Sequence, residues 1–189
     1  YAYACVASGL SDVAVAFGVE KMYMPDMAKA QTNMTCVLDR EEDGVNAMSA
    51  PPFFAMTAQR HMYEYGTTKE QMALVSVKNH RYSALNPLAQ FPKEVSVDDV
   101  LKSVMIAPPF QLLDCSGITD GAAGVILVSA DDAKKYTDTP MYVVGSGQAN
   151  IGNAVGNLAN LTEWVPLKVA AQEAFESAHM KADDVDVAE

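Results

Sequence analysis

Two short and nearly continuous runs of apolar residues stand out in the chain, one at 12–19 and one at 121–128. Both are bounded by glycine or charged residues and are shorter than most helices. Such runs are typical of strands that are buried on both faces of a sheet. We expect them to be central strands of two different but similar sheet halves. Apolar stretches at 141–144 and 185–187 predict two more strands.

Capping residues and helix-breaking glycines set the bounds of the predicted helices. These helices are expected up to Gly9 and at 51–65, 96–104, 129–135 and 162–180, with a further helix that starts at Thr67 or Thr68 and runs to residue 80. Residues 22–50 show no clear period and predict a long excursion out of the core. Helices that alternate with apolar strands indicate an α/β fold with covered sheets.

Composition narrows the function before any motif is considered. The 189 residues carry a net charge of -11, which argues against nucleic acid as a partner. No apolar stretch has the length that a membrane span needs. Cys5, Cys36 and Cys115 are widely spaced and form no C-x-x-C pair. We therefore expect no disulfide framework, no metal site and a reducing, cytoplasmic setting. We expect both ends of the sequence to cut through elements of structure.

Three strings carry a resemblance to a known family. They are ASGLSDVAVAFGVEKM at 7–22, HMYEYGTTKEQ at 61–71 with KNH and NPLA following by residue 89, and DCSGITDGAA at 114–123. In this order they resemble segments of the thiolase superfamily. The string at 61–89 is similar to sterol-carrier-type and archaeal acetyl-CoA thiolases and unlike the degradative type. The final run, 182–189, resembles the lead-in to the family's next motif.

The resemblance implies a partial thiolase fold, whose five α-β-α-β-α layers are made of two similar halves and carry an inserted loop domain. Residues 1–22 would end the N-terminal half, and 23–105 would form the loop domain. Residues 106–130 would hold the last strand region of the N-terminal half, and 131–189 would start the C-terminal half.

The implied activity is that of an acyl-CoA C-acyltransferase, which condenses acyl-CoA molecules or cleaves 3-ketoacyl-CoA. Thiolases use a cysteine nucleophile, a histidine base and a second cysteine. Cys5 lies at the end of a predicted helix, where a small buried thiol is the simpler interpretation. We therefore expect no catalytic residue within these 189 residues and an inactive chain by itself. The resemblance implies no metal or redox cofactor, and coenzyme A thioester as the substrate.

Five residues are candidates for contact with acyl-CoA. The resemblance places the Ser116 hydroxyl on the pantetheine arm, with Cys115 lining the same tunnel. It places Phe53 and Phe54 against the pantetheine arm and the acyl group, so that the arm would lie between residues 50–57 and the turn of Ser116. It makes His80 typical of the sterol-carrier-type pattern. Simpler roles are open for each: Ser116 in its turn, the phenylalanines in the core, and His80 as a hydrogen-bonded residue at a helix end.

Other polar residues are expected to be structural. Asp114 and Asp120 would tie their turn together, and His61 and His179 would be exposed on helices. The acidic run at 39–43 would be a solvated face.

Alternative functions share the fold. One is an aldolase or lipid-transfer-like subunit that acts with a zinc-ribbon/OB-fold partner. Another is a hydroxymethylglutaryl-CoA synthase, against which the string at 61–89 argues, and a third is a non-catalytic scaffold. The resemblance also implies a homodimer or a larger assembly, because thiolase-fold proteins pair through their core sheets, which leaves no apolar strand edge open to aggregation.

Overall fold

The computed structural model describes residues 1–39, 41–44, 49–150, 156 and 158–188. They form two compact units. Unit 1 comprises Tyr1–Met24, Ile118–Asn150 and Val165–Glu189, and unit 2 comprises Pro25–Gly117 and Ile151–Trp164.

The helices and strands follow one another along the chain in mixed order, as expected for an α/β protein. The helices are α1 (Ala2–Ala7), α2 (Met27–Met34), α3 (Ala50–Tyr65), α4 (Lys69–Ser83), α5 (Val97–Lys102) and α6 (Val165–Ala178). The strands are β1 (Val13–Lys21), β2 (Met105–Ala107), β3 (Phe110–Gln111) and β4 (Asp120–Val128). None of the described helices combines the length and apolarity needed to cross a membrane.

Unit 1 is built on an antiparallel pair of strands, β1 and β4. Val13 lies opposite Val128, and the register continues to Lys21 opposite Asp120. The Asp120 carboxylate accepts a hydrogen bond from the backbone N–H of Tyr23 at 2.8 Å. This bond fixes the end of the strand pair, whereas Asp120 was expected to tie its own turn together. Both apolar runs are thus strands. The prediction that they belong to different sheet halves is wrong, because they pair with each other in one sheet.

The predicted burial of these strands is also wrong. Phe17 is 80% exposed, Ile126 is 70% exposed and Val15 is 62% exposed. A strand is buried on both faces only when layers cover the two sides of its sheet. The described residues leave most of this two-stranded sheet uncovered, so its apolar side chains face outward.

Several other expectations for unit 1 are corrected. Residues 141–144 and 185–187 form no strand, because they join no ladder with the described residues. The helix expected at 129–135 is only a 3₁₀ turn, Ala133–Lys135. Helix α6 begins at Val165 and not at Thr162.

The excursion expected at 22–50 contains a helix that the sequence reasoning missed. Asp26 is the N-cap of α2, and its carboxylate accepts from the backbone N–H of Lys29 at 3.1 Å. The signal was present in the sequence, since aspartate is a preferred N-cap residue.

Unit 2 confirms the helices predicted from capping signals. Gly66 ends α3 with a φ of 68°, a conformation in which a Cβ would be strained. Thr68 then starts α4, where its side chain and that of Gln71 form a reciprocal capping box. Ser96 and Asp99 make the same arrangement at α5.

The core of unit 2 lies where α3, α4 and α5 meet the β2–β3 hairpin. Ala55, Ala73 and Val100 are buried, the last completely. Gln111 of β3 is also buried, and its amide donates to the backbone carbonyls of Leu101 and Ser103. Because a buried amide is costly without partners, these bonds tie the hairpin to the end of α5.

A candidate substrate cavity beside helix α4

A cavity of about 580 Å³ opens in unit 2 beside the second half of α4. Its wall also includes residues 89–91 and 113–116. Apolar side chains contribute much of the lining, namely Met72, Val75, Phe91, Phe110 and Leu113. A volume of this size, apolar walls and a few polar groups are typical of small-molecule sites.

His80 connects α4 to residues 89–93, which we call the strap. Its Nδ1 lies 2.9 Å from the carbonyl oxygen of Lys93. A carbonyl oxygen can only accept, so Nδ1 carries the proton and donates. The Ser83 hydroxyl donates to the carbonyl of Phe91 at 2.8 Å. His80 is therefore the hydrogen-bonded helix-end histidine expected, and it also lines the cavity.

Asp114 anchors the segment that leads to the cavity. Its Oδ2 accepts from the backbone N–H of Gln111 at 2.9 Å and lies 3.3 Å from Nζ of Lys69. The carboxylate is thus held in a turn, as predicted for a structural residue. Since two partners occupy it, Asp114 is poorly placed to act as a general base.

Cys115 lines the cavity next to this carboxylate. Burial raises the pKa of its thiol, and the negative charge of Asp114 raises that pKa further, while Lys69 acts in the opposite direction. A raised pKa leaves little reactive thiolate at neutral pH. This environment suits a thiol that forms part of a wall.

Ser116 is exposed at the cavity, and its hydroxyl has no hydrogen-bond partner among the residues that the structure describes. A serine whose only role was to satisfy its turn would bond to nearby backbone. The Ser116 hydroxyl is instead available to a ligand.

Phe53 and Phe54 lie elsewhere in unit 2, outside the lining of this cavity. Phe54 and Trp164 have parallel rings, with centroids 6.2 Å apart, and Phe53 meets both rings edge-on. The structure therefore brings His80, Cys115 and Ser116 together but places the two phenylalanines in a separate aromatic cluster. Trp164 was missed by sequence reasoning, because it lies 110 positions beyond Phe54.

The remaining expected structural residues lie as follows. His61 is exposed on α3, as predicted. His179 is exposed but lies just beyond α6, with a φ of 55°. Cys5 is half-buried at the end of α1 rather than fully buried. Within the acidic run, Glu41 and Glu42 are exposed, but Asp43 is only 6% exposed, so its predicted solvation is wrong. Arg40 of that run lies outside the described residues.

In the described part of the chain, no group of three or more His, Cys, Asp or Glu side chains is placed to hold a metal ion.

Comparison with known proteins identifies a family model that the chain matches and several proteins to which it is similar. Residues 1–131 match the family model described as "Thiolase, N-terminal domain". An acetyl-CoA acetyltransferase from Methanothermobacter thermautotrophicus is 46% identical over 97% of this chain and 48% of its own length. Sterol carrier protein 2 from Gallus gallus is 31% identical over 97% of this chain and 36% of its own length.

A solved structure, the Ltp2-ChsH2(DUF35) aldolase, superposes with a TM-score of 0.77 at 23% sequence identity. The match covers 96% of this chain and 48% of that one, and it bears on the fold alone. The chain spans about half the length of the acetyl-CoA acetyltransferase and about a third of sterol carrier protein 2.

Proposed function

The chain belongs to the thiolase family and has the thiolase fold, and on that premise we propose that the protein is an acyl-CoA C-acyltransferase. The observation that carries the proposal is the 46% identity, over 97% of this chain, to an acetyl-CoA acetyltransferase. In condensation, an acyl group would pass from CoA to a cysteine thiolate, and the α-carbon of a second acyl-CoA would then displace that cysteine. Thiolytic cleavage is the reverse.

Within this activity we assign substrate-binding roles to the residues of this chain. Ser116 would hydrogen-bond the pantetheine arm, and Cys115 and His80 would form the wall beside it. The free hydroxyl of Ser116 supports this role. We assign the nucleophile, the base and the second cysteine to parts of the protein outside these 189 residues.

Phe53 and Phe54 would face the acyl group in this proposal. Phe54 is 48% exposed, so its ring is open to contact with a further group. Because they do not line the cavity of Ser116, the proposal gives them the acyl chain alone and not the pantetheine arm that the resemblance also placed there.

The test is thiolysis by the full-length protein. Acetoacetyl-CoA and free CoA are supplied, and the acetyl-CoA formed is separated and quantified by chromatography. We expect two molecules of acetyl-CoA for each acetoacetyl-CoA consumed. Absence of turnover with acetoacetyl-CoA and with a series of longer 3-ketoacyl-CoA substrates would contradict the proposal.

A thiolase-fold aldolase or lipid-transfer-like subunit is the alternative. The aldolase named above shares the fold at 23% identity. An aldolase cleaves its substrate without consuming CoA, so dependence of turnover on free CoA separates the two activities.

Assembly and location remain part of the proposal. We propose that the full-length protein forms a homodimer or a larger assembly in the cytoplasm. A zinc-ribbon/OB-fold protein is the proposed further partner. The exposed apolar strand β1 favours assembly, since such surfaces are normally covered. Light scattering of the full-length protein measures its oligomeric state directly.

A further inference from the structure

We propose that Gln90, on the strap and beside the turn of Ser116, is a second polar contact for the amide-bearing arm of the substrate. This inference rests on the proposed function and adds a specificity-determining residue to it. Gln90 lines the same cavity as Ser116 and is exposed. Its side-chain amide has no hydrogen-bond partner among the described residues, so it can both donate to and accept from a ligand.

Two hydrogen bonds from α4 hold the strap at positions that follow Gln90 in the sequence. Ser83 binds the carbonyl of Phe91, and His80 binds the carbonyl of Lys93. Both anchors come from the last turn and a half of α4, which is itself packed in the core of unit 2. Gln90 is therefore an exposed side chain on a restrained backbone, which limits the entropy lost when it binds a ligand.

Gly117 brings the strap close to the turn of Ser116. A Cβ on Gly117 would lie 2.8 Å from Cζ of Phe91 and 3.2 Å from Nε2 of Gln90. The Gln90 amide thus lies against the residue that follows Ser116. A hydroxyl and a primary amide, neither with a partner in the described ranges of the chain, therefore lie close together in the cavity wall.

The lining indicates what kind of group these two residues bind. Among the described residues of the wall there is no lysine or arginine. The carboxylate of Asp114 is present, with Lys69 as its partner. A phosphate would find no cation there, whereas a neutral chain with secondary amides matches apolar walls and groups that donate and accept. Pantetheine is such a chain.

The experiment compares Gln90→Leu with Gln172→Leu in the full-length protein. Gln172 is an exposed glutamine on α6, and its amide donates to Glu176 at 2.7 Å, so it is a matched control. For Gln90→Leu we expect the KM for CoA in thiolysis to rise roughly two- to tenfold, the effect of one neutral hydrogen bond. We expect kcat and the melting temperature to stay constant, because Gln90 acts on binding.

Adenosine 3′,5′-bisphosphate, which lacks the amide arm, is used as a competitive inhibitor. Its inhibition constant should be the same in Gln90→Leu and in the parent protein. An equal rise in that constant would place Gln90 at the nucleotide and overturn the proposal, as would an unchanged KM for CoA. If Ser116→Ala raises the KM while Gln90→Leu does not, only this inference fails. If the parent protein neither cleaves 3-ketoacyl-CoA nor binds CoA, both this inference and the proposed function fail.

Discussion

Nζ of Lys69 lies 3.3 Å from Oδ2 of Asp114, joining the first turn of α4 to the segment that forms the cavity wall. Lys69 also donates to the backbone carbonyl of Pro109. The side chain of Asp114 is only 5% exposed and that of Lys69 is 23% exposed. Breaking such a sheltered pair leaves one charge without compensation. The pair therefore links the stability of unit 2 to the shape of the cavity.

Lys69→Met should lower the free energy of unfolding of the full-length protein by about 1–3 kcal/mol, because Asp114 would keep its charge and lose its cation. Urea denaturation measures the change. Lys102→Met is the matched control: its partner Asp98 and Lys102 itself are both 75% exposed, and surface pairs contribute little. Equal effects of the two substitutions would contradict the structural role of Lys69.

Asp114→Asn should make Cys115 more reactive. The substitution removes a negative charge that raises the pKa of the thiol, so the pKa falls and the thiolate fraction at a given pH increases. The pH at which alkylation by iodoacetamide is half-maximal should move downward, and in Lys69→Met it should move upward. Peptide mass spectrometry follows Cys115, with the exposed Cys36 as the internal reference. An unchanged profile in Asp114→Asn would show that the carboxylate does not act on the thiol.

The helices of unit 2 could be predicted from the sequence because their signals are local. A threonine three residues before a glutamine marks the start of a helix, and a glycine after a helical stretch marks its end. Each signal lies within one turn of the helix end that it marks. Thr68 and Gly66 both act as expected. The resemblance also brought Cys115 and Ser116 to attention, and they do line one cavity.

The sequence could not supply contacts between distant segments. Nothing local shows that β1 pairs with β4 or that Trp164 stacks on Phe54. An apolar run shows that a strand prefers to be covered, but not which layer covers it, so the predicted burial of Phe17 was wrong. Lys69 and Asp114 are 45 positions apart in the sequence, and no periodic pattern of residues predicts that they pair.

Gly117→Ala should weaken CoA binding by more than Gln90→Leu does. The new methyl group would lie 2.8 Å from the Phe91 ring and 3.2 Å from the Gln90 amide, so both side chains must move. Calorimetric titration with CoA measures the change. Phe91→Ala removes the tighter contact, and the double variant should therefore bind CoA better than Gly117→Ala alone. If it binds no better, steric displacement of Phe91 is not the cause.

Ser116→Ala tests the carried-over binding residue directly. Ser116 is exposed, and its hydroxyl bonds to no described residue, so its removal should leave the melting temperature unchanged. Binding of CoA should weaken by about 1 kcal/mol, the contribution of one neutral hydrogen bond, which corresponds to roughly a fivefold higher Kd. Calorimetric titration of the full-length protein gives the Kd, and a thermal melt gives the stability.

Ser129 provides the matched control for Ser116→Ala, because its hydroxyl is hydrogen-bonded within its own turn. Its hydroxyl accepts from the backbone N–H of Asp132 at 3.2 Å. Ser129→Ala should lower the melting temperature and leave CoA binding unchanged, the opposite of Ser116→Ala. If Ser116→Ala behaves like Ser129→Ala, with unchanged affinity and lower stability, Ser116 only supports its turn. The cavity beside α4 would then have to bind its ligand without the lining hydroxyl that bonds to no described residue.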